Sequence, residues 1–101
     1  MALYAAFEGD AKRVVDYVIP SLVETGTITE ELGEEVKRFL QERASCKTEE
    51  ESRSMLSLIT FLDALNLGHG EFFTPLISER FMPCQEFRDL ARRIARVAIT
   101  K

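Results

Sequence analysis

Apolar residues recur along this chain at helical spacing, in segments parted by short polar breaks. Over Asp10 to Thr25, Val14, Val15, Val18, Ile19 and Leu22 share one face, with Lys12, Arg13 and Asp16 on another. That periodicity predicts an amphipathic helix. Pro20 lies inside it, lacks a backbone donor and crowds the preceding turn, so a kink is expected there. Gly26 is a suitable stop. Thr27 with Glu30 fits a capping box, and Leu32, Val36, Phe39 and Leu40 form the buried stripe of a second helix ending near Ser45.

Thr48 with Glu51 fits another capping box. The helix it opens carries Met55, Leu56, Leu58, Ile59, Leu62 and Leu65, the most apolar stretch of the chain, and Phe61 widens that stripe. This helix is expected at the centre, buried on most sides. Asn66 to Gly70 is a break. Residues 71–81 hold Phe72, Phe73, Leu76 and Ile77, and a helix there either starts at Pro75 behind a Thr74 cap or bends at it. Pro83 opens the last helix, where Phe87, Leu90, Ile94 and Val97 repeat regularly. The expected core comprises Val15, Val18, Leu22, Val36, Phe39, Leu58, Leu62, Phe73, Leu90 and Ile94. With five or six short helices, tight connections and no internal repeat, the expected fold is a single all-α domain over residues 1–101, a compact antiparallel bundle.

Composition agrees with a folded domain: 46% of residues are hydrophobic and 30% charged, which excludes a disordered chain. The net charge of -4 argues against non-specific nucleic-acid binding by the whole domain. The charge is unevenly spread. Acids dominate from Glu24 to Glu51, and bases dominate from Arg80 to Lys101. Arg88, Arg92 and Arg96 align at i, i+4, i+8 on the last helix with Arg93 beside them. That stripe is a solvated face with local pairs, a patch for an acidic protein, or a nucleic-acid contact. Opposed acidic and basic surfaces on one molecule also suit head-to-tail association with copies or relatives of itself.

Candidate chemistry is sparse. Cys46, His69 and Cys84 are too few and too widely spaced for a structural zinc site, so no metal is expected. His69 lies between two glycines, a poor platform for a base beside a nucleophilic cysteine. Exposed acids explain the carboxylates more simply than a catalytic pair. No phosphate-cradling glycine motif occurs, and no cofactor or enzymatic activity is expected. Two cysteines in a chain with this much core need no disulfide, so both are read as reduced and the compartment as intracellular, cytoplasmic. Met1 to Phe7 is apolar but too short for a signal peptide, and no run is long enough to span a membrane.

Taken in order, the segments resemble a caspase-recruitment domain (CARD) of the death-fold superfamily over about residues 10–98. The resemblance lies in V-V-D-Y-V-I-P-S-L-V as a kinked first helix and E-E-V-K-R-F-L within the second. C-K-T-E-E-E-S-R matches a short third helix, M-L-S-L-I-T-F-L-D-A-L the fourth and E-F-F-T-P-L-I the fifth, and the final amphipathic helix the sixth. It is most similar to the N-terminal CARDs of innate-immune RNA helicases and to the CARD of their mitochondrial adaptor. Pro75 in the fifth helix and the helix-like Met1 to Phe7 segment depart from the usual form.

The resemblance implies a six-helix bundle and a protein-interaction module of a signalling or RNA-sensing protein, associating with another CARD or a copy of itself. It implies a basic face at Lys12, Arg13 and Arg53 and an acidic face at Glu34, Glu35, Glu49 and Glu50. The alternative reading is a small helical nucleic-acid-binding or regulatory protein using Arg88, Arg92, Arg93 and Arg96.

Overall fold

The computed structural model describes residues 7–99, so the apolar start at residues 1–6 and the end at residues 100–101 lie outside the described residues. The chain is all-helical there, with no strand. A first rod runs through α1 (Phe7–Arg13), a π-helical turn (Val14–Val18) and α2 (Ile19–Glu24) without leaving helical backbone angles. Then come α3 (Glu30–Arg43), α4 (Glu49–Asn66), a 3-10 segment (Gly70–Leu76) and α5 (Gln85–Ile99).

The distortion expected at Pro20 falls one turn earlier. Ile19 N–H reaches back five residues to the Val14 carbonyl, and the helix re-forms with Pro20 in its first turn. There the missing donor costs nothing, because first-turn N–H groups have no partner within their helix. The π turn keeps its apolar residues inward: Val14, Val15 and Val18 are buried, while Asp16 and Tyr17 are exposed.

α2 and α4 end in the same way. Gly26 (φ 76°) and Gly68 (φ 82°) take the left-handed conformation that glycine adopts at no steric cost. Gly26 N–H bonds the Val23 carbonyl and Thr27 N–H the Leu22 carbonyl (3.0 and 2.9 Å). Gly68 and His69 repeat the pattern on Leu65 and Ala64 (3.1 and 2.8 Å). These are Schellman caps. Thr27 is therefore consumed by the end of α2, and the cap of α3 is Thr29, whose hydroxyl accepts from Leu32 N–H (3.1 Å). The Thr48–Glu51 box forms: Thr48 accepts from Glu51 N–H, and the Glu51 carboxylate accepts from Lys47 N–H, both at 3.1 Å.

Cys46 to Arg53 does not make a separate third helix. Glu49 onward is the first turn of α4, which runs unbroken to Asn66. Among the described residues there are five helical stretches: the first rod, α3, α4, the 3-10 segment and α5.

α4 lies at the centre as its pattern predicts, packing against the first rod, the 3-10 segment and α5. Met55, Leu58, Phe61 and Leu62 are fully buried, with Val14, Ile19, Val36, Leu40, Phe87 and Ile94 around them. Leu56 points outward. Two α4 hydroxyls hold the irregular chain before α5: Ser57 Oγ donates to the Phe81 carbonyl, and Ser54 Oγ accepts from Cys84 N–H (3.0 Å). These satisfy polar groups in a part-buried place.

Residues 71–81 differ from expectation. Pro75 sits inside a 3-10 segment, and no α-helix starts behind Thr74, whose hydroxyl donates to the Glu71 carbonyl. With three residues per turn, side chains placed for a 3.6-residue period cannot share one buried face. Phe73 is on the margin of exposure rather than in the core, and Phe72 is 77% exposed. Phe39, also assigned to the core, is partly buried against it.

Candidate interaction surfaces

Each base that the CARD resemblance places on the basic face already holds a carboxylate. Lys12 bonds Asp16 at 2.7 Å, i to i+4 within the first rod. Arg13 grips Asp63 with two bonds of 2.9 Å, tying that rod to α4. Arg53 bonds Glu49 at 3.1 Å. Hydrogen bonds donated to the partner carboxylates raise the pKa of Lys12 and Arg13. Arg53 and the Asp63 that anchors Arg13 lie ten residues apart on α4, roughly 15 Å along its axis. Arg53 is therefore set apart from the neighbouring pair Lys12 and Arg13.

The acids fall into two groups. Glu49 and Glu50 occupy the first turn of α4, where the helix dipole favours negative charge. Glu34 and Glu35 are on α3, with Glu34 roughly 14 Å along the axis from the Arg43 end that leads to α4. Glu35 accepts two bonds from Arg93 of α5, and Glu34 lies 3.5 Å from Lys37. Glu30 and Glu31, in the first turn of α3, are exposed and have no ion pair among the described residues. The sequence pattern assigned Glu30 a part only in the Thr27 capping box, which does not form, because Thr29 is the cap.

The four arginines of α5 have four different settings. Arg88 is buried, with Nε and Nη1 lacking a hydrogen bond and Glu79 3.6 Å away. Arg93 is engaged by Glu35. Arg92 is exposed, 3.8 Å from Asp89 of its own helix, and Arg96 is exposed. The i, i+4, i+8 stripe is thus not one solvated face.

The Glu35–Arg93 pair yields a pH prediction. Arg93 holds the Glu35 carboxyl below the usual carboxylate range, chiefly by hydrogen bonding. A depressed carboxylate pKa contributes stability that is full above its ordinary value of 4.5 and is lost as pH falls through the lower folded value. Both side chains are about half exposed, so Glu35→Gln should cost only ~0.2–1 kcal/mol at neutral pH. The deficit against the native chain should shrink in melts below pH 4.5. A deficit unchanged at low pH would place its source elsewhere.

Cys46 is buried and Cys84 half-buried, both as free thiols, and burial pushes the Cys46 thiol up, away from the reactive thiolate. His69 is an exposed loop residue fixed by backbone capping. Among the described residues no three His, Cys, Asp or Glu side chains gather as a metal-holding group. No helix there is long and apolar enough to cross a membrane.

No protein-family model, curated protein or solved structure matches the chain.

Proposed function

We propose that this chain is a protein-interaction module that associates with a domain of its own kind, in the manner of a CARD, through unlike-charged surfaces. The reading is supported by the order of its segments and carried by one observation. Glu30 and Glu31 stand exposed at the start of α3 with no ion pair among the described residues, and Glu34 meets Lys37 at 3.5 Å, while Lys12, Arg13, Arg53 and Arg93 are each engaged by a carboxylate. The start of α3 is thus an exposed acidic surface little offset by ion pairs. Such a surface selects a basic-faced partner and speeds encounter, and it penalises acidic ones.

Reversing Glu31 and Glu34 to lysine tests this. Both are exposed, and neither bridges two helices, so the variant should fold as the native chain does, within ~0.5 kcal/mol. Self-association, or binding to a basic-faced domain of the same type, should weaken in sedimentation, and native binding should weaken with added salt. Glu35 is unsuitable for the reversal, because lysine there would face Arg93. Association indifferent to both the reversal and salt would remove the electrostatic reading.

A further inference from the structure

Between the 3-10 segment and α5 lies an open groove of about 430 Å³ that the charge pattern did not foretell. Its α5 wall is Arg92, Ala95, Arg96 and Ile99, which share a face at i, i+3, i+4 and i+7, and Ile77 lies opposite. The floor is apolar and the rim basic. At the other helix pair, Glu30 and Glu34 of α3 line a second depression with Pro20, Val23 and Glu24 of α2, three acids against the single base Lys37. Pro20 is exposed and Val23 half-buried, so this surface is apolar and acidic.

The geometry points to a second copy of this chain as the occupant of the α5 groove, entered by its acidic α2–α3 end. This rests on the self-association reading above and identifies the receiving surface, moving it from Lys12, Arg13 and Arg53 to α5. The argument is complementarity of both kinds at once: apolar floor against Pro20 and Val23, and arginine rim against Glu30, Glu31 and Glu34. Arg92 suits this role better than Lys12 or Arg13, because its own pair with Asp89 is long at 3.8 Å, against 2.7 Å for Lys12–Asp16 and 2.9 Å for Arg13–Asp63. A guanidinium fork also meets a carboxylate with two parallel bonds. The two surfaces are different patches of one molecule, so the contact is head-to-tail. It builds a ring if the rotation closes and an open filament if it does not.

The test is sedimentation of the full chain and four variants, each checked by circular dichroism and melting. Arg92→Glu with Arg96→Glu should weaken self-association about tenfold or more, since it brings like charges together. Ala95→Lys should weaken it too, because it fills the groove while adding positive charge, an outcome a diffuse basic patch would not produce. Lys12→Glu with Arg53→Glu should leave association near native. Mixing the Arg92/Arg96 variant with Glu31→Lys/Glu34→Lys should restore pairing at one junction.

If the Lys12/Arg53 variant loses association and the α5 variants keep it, the groove assignment is overturned and the functional reading stands. Loss in neither set, with the acidic reversal also silent, overturns both. A native chain that stays monomeric at every soluble concentration overturns the groove assignment and leaves binding to a different domain of the same type.

Discussion

Leu62→Ala should lower stability by ~2–5 kcal/mol, the range for emptying a leucine site that the surroundings cannot refill. Leu62 is fully buried in the middle of α4, the helix that packs against the first rod, the 3-10 segment and α5. A domain of this size has ~5–15 kcal/mol to lose, so a substantial unfolded fraction at physiological temperature is the expected result. Leu56→Ala is the internal control. It removes the same atoms from the same helix at a site 54% exposed, and should cost under ~0.5 kcal/mol. Urea melting of both variants measures the difference. A neutral Leu62→Ala would displace α4 from the centre of the fold.

That central role was legible in the sequence because α4 combines a capping box with an apolar stripe too wide for a surface helix. Thr48 and Glu51 form the cap as expected, and all the large apolar residues named there except Leu56 are buried. α3 and α5 were legible for the same reason, each having one face that must be covered. Two features were not. Thr27 and Thr29 both precede acid-rich turns, and only the Schellman cap of α2, which uses the Thr27 N–H, decides between them. Residues 71–81 carry an apolar density that suits a helix, but with Pro75 among them they form only a 3-10 segment. Once the period changes from 3.6 to 3, Phe72 turns to solvent and its hydrophobicity stops being a guide to burial.

Candidate surfaces were legible in composition but not in geometry. The acid-rich and arginine-rich halves of the chain are visible at once, yet which charges remain free depends on pairs across the fold. Arg13 finds Asp63, Arg43 finds Glu86 and Arg93 finds Glu35, at separations no local pattern encodes. Arg88 shows the same limit from the other side. It continues the arginine stripe in sequence, but α5 turns it inward beside Phe87, where its stem is packed and two of its nitrogens lack hydrogen bonds. The groove was illegible because its far side, Thr74 and Ile77, belongs to a 3-10 segment and its end rather than to the expected α-helix.

Phe87→Ala should be as damaging as Leu62→Ala, at ~3–5 kcal/mol, and its consequences reach the proposed surface. The Phe87 ring is buried and meets Phe39 of α3 edge-on, with centroids 4.8 Å apart. The Arg43 guanidinium lies 4.2 Å from the Phe39 centroid and also bonds Glu86, the residue preceding Phe87. One aromatic pair and one ion pair therefore join the N-terminal half of α5 to α3, with the Arg43–Phe39 contact holding the α3 side of both, while Arg93–Glu35 joins the next turns. The ring pair itself should contribute ~0.5–1.5 kcal/mol beyond area burial. A double-mutant cycle with Phe39→Leu and Phe87→Leu isolates that term, since leucine keeps most of the apolar volume and removes the edge-to-face geometry. Urea melts of the two single variants and the double variant read the coupling. Arg43→Met should cost less than Phe87→Ala, because its contacts are partly solvated. If α5 positions the receiving groove, Phe87→Leu should also weaken self-association at temperatures where the domain is still folded, because Ala95 and Ile99 ride on the same helix. Coupling indistinguishable from zero would mean that α5 is held by apolar area alone, without the Phe39–Phe87 geometry.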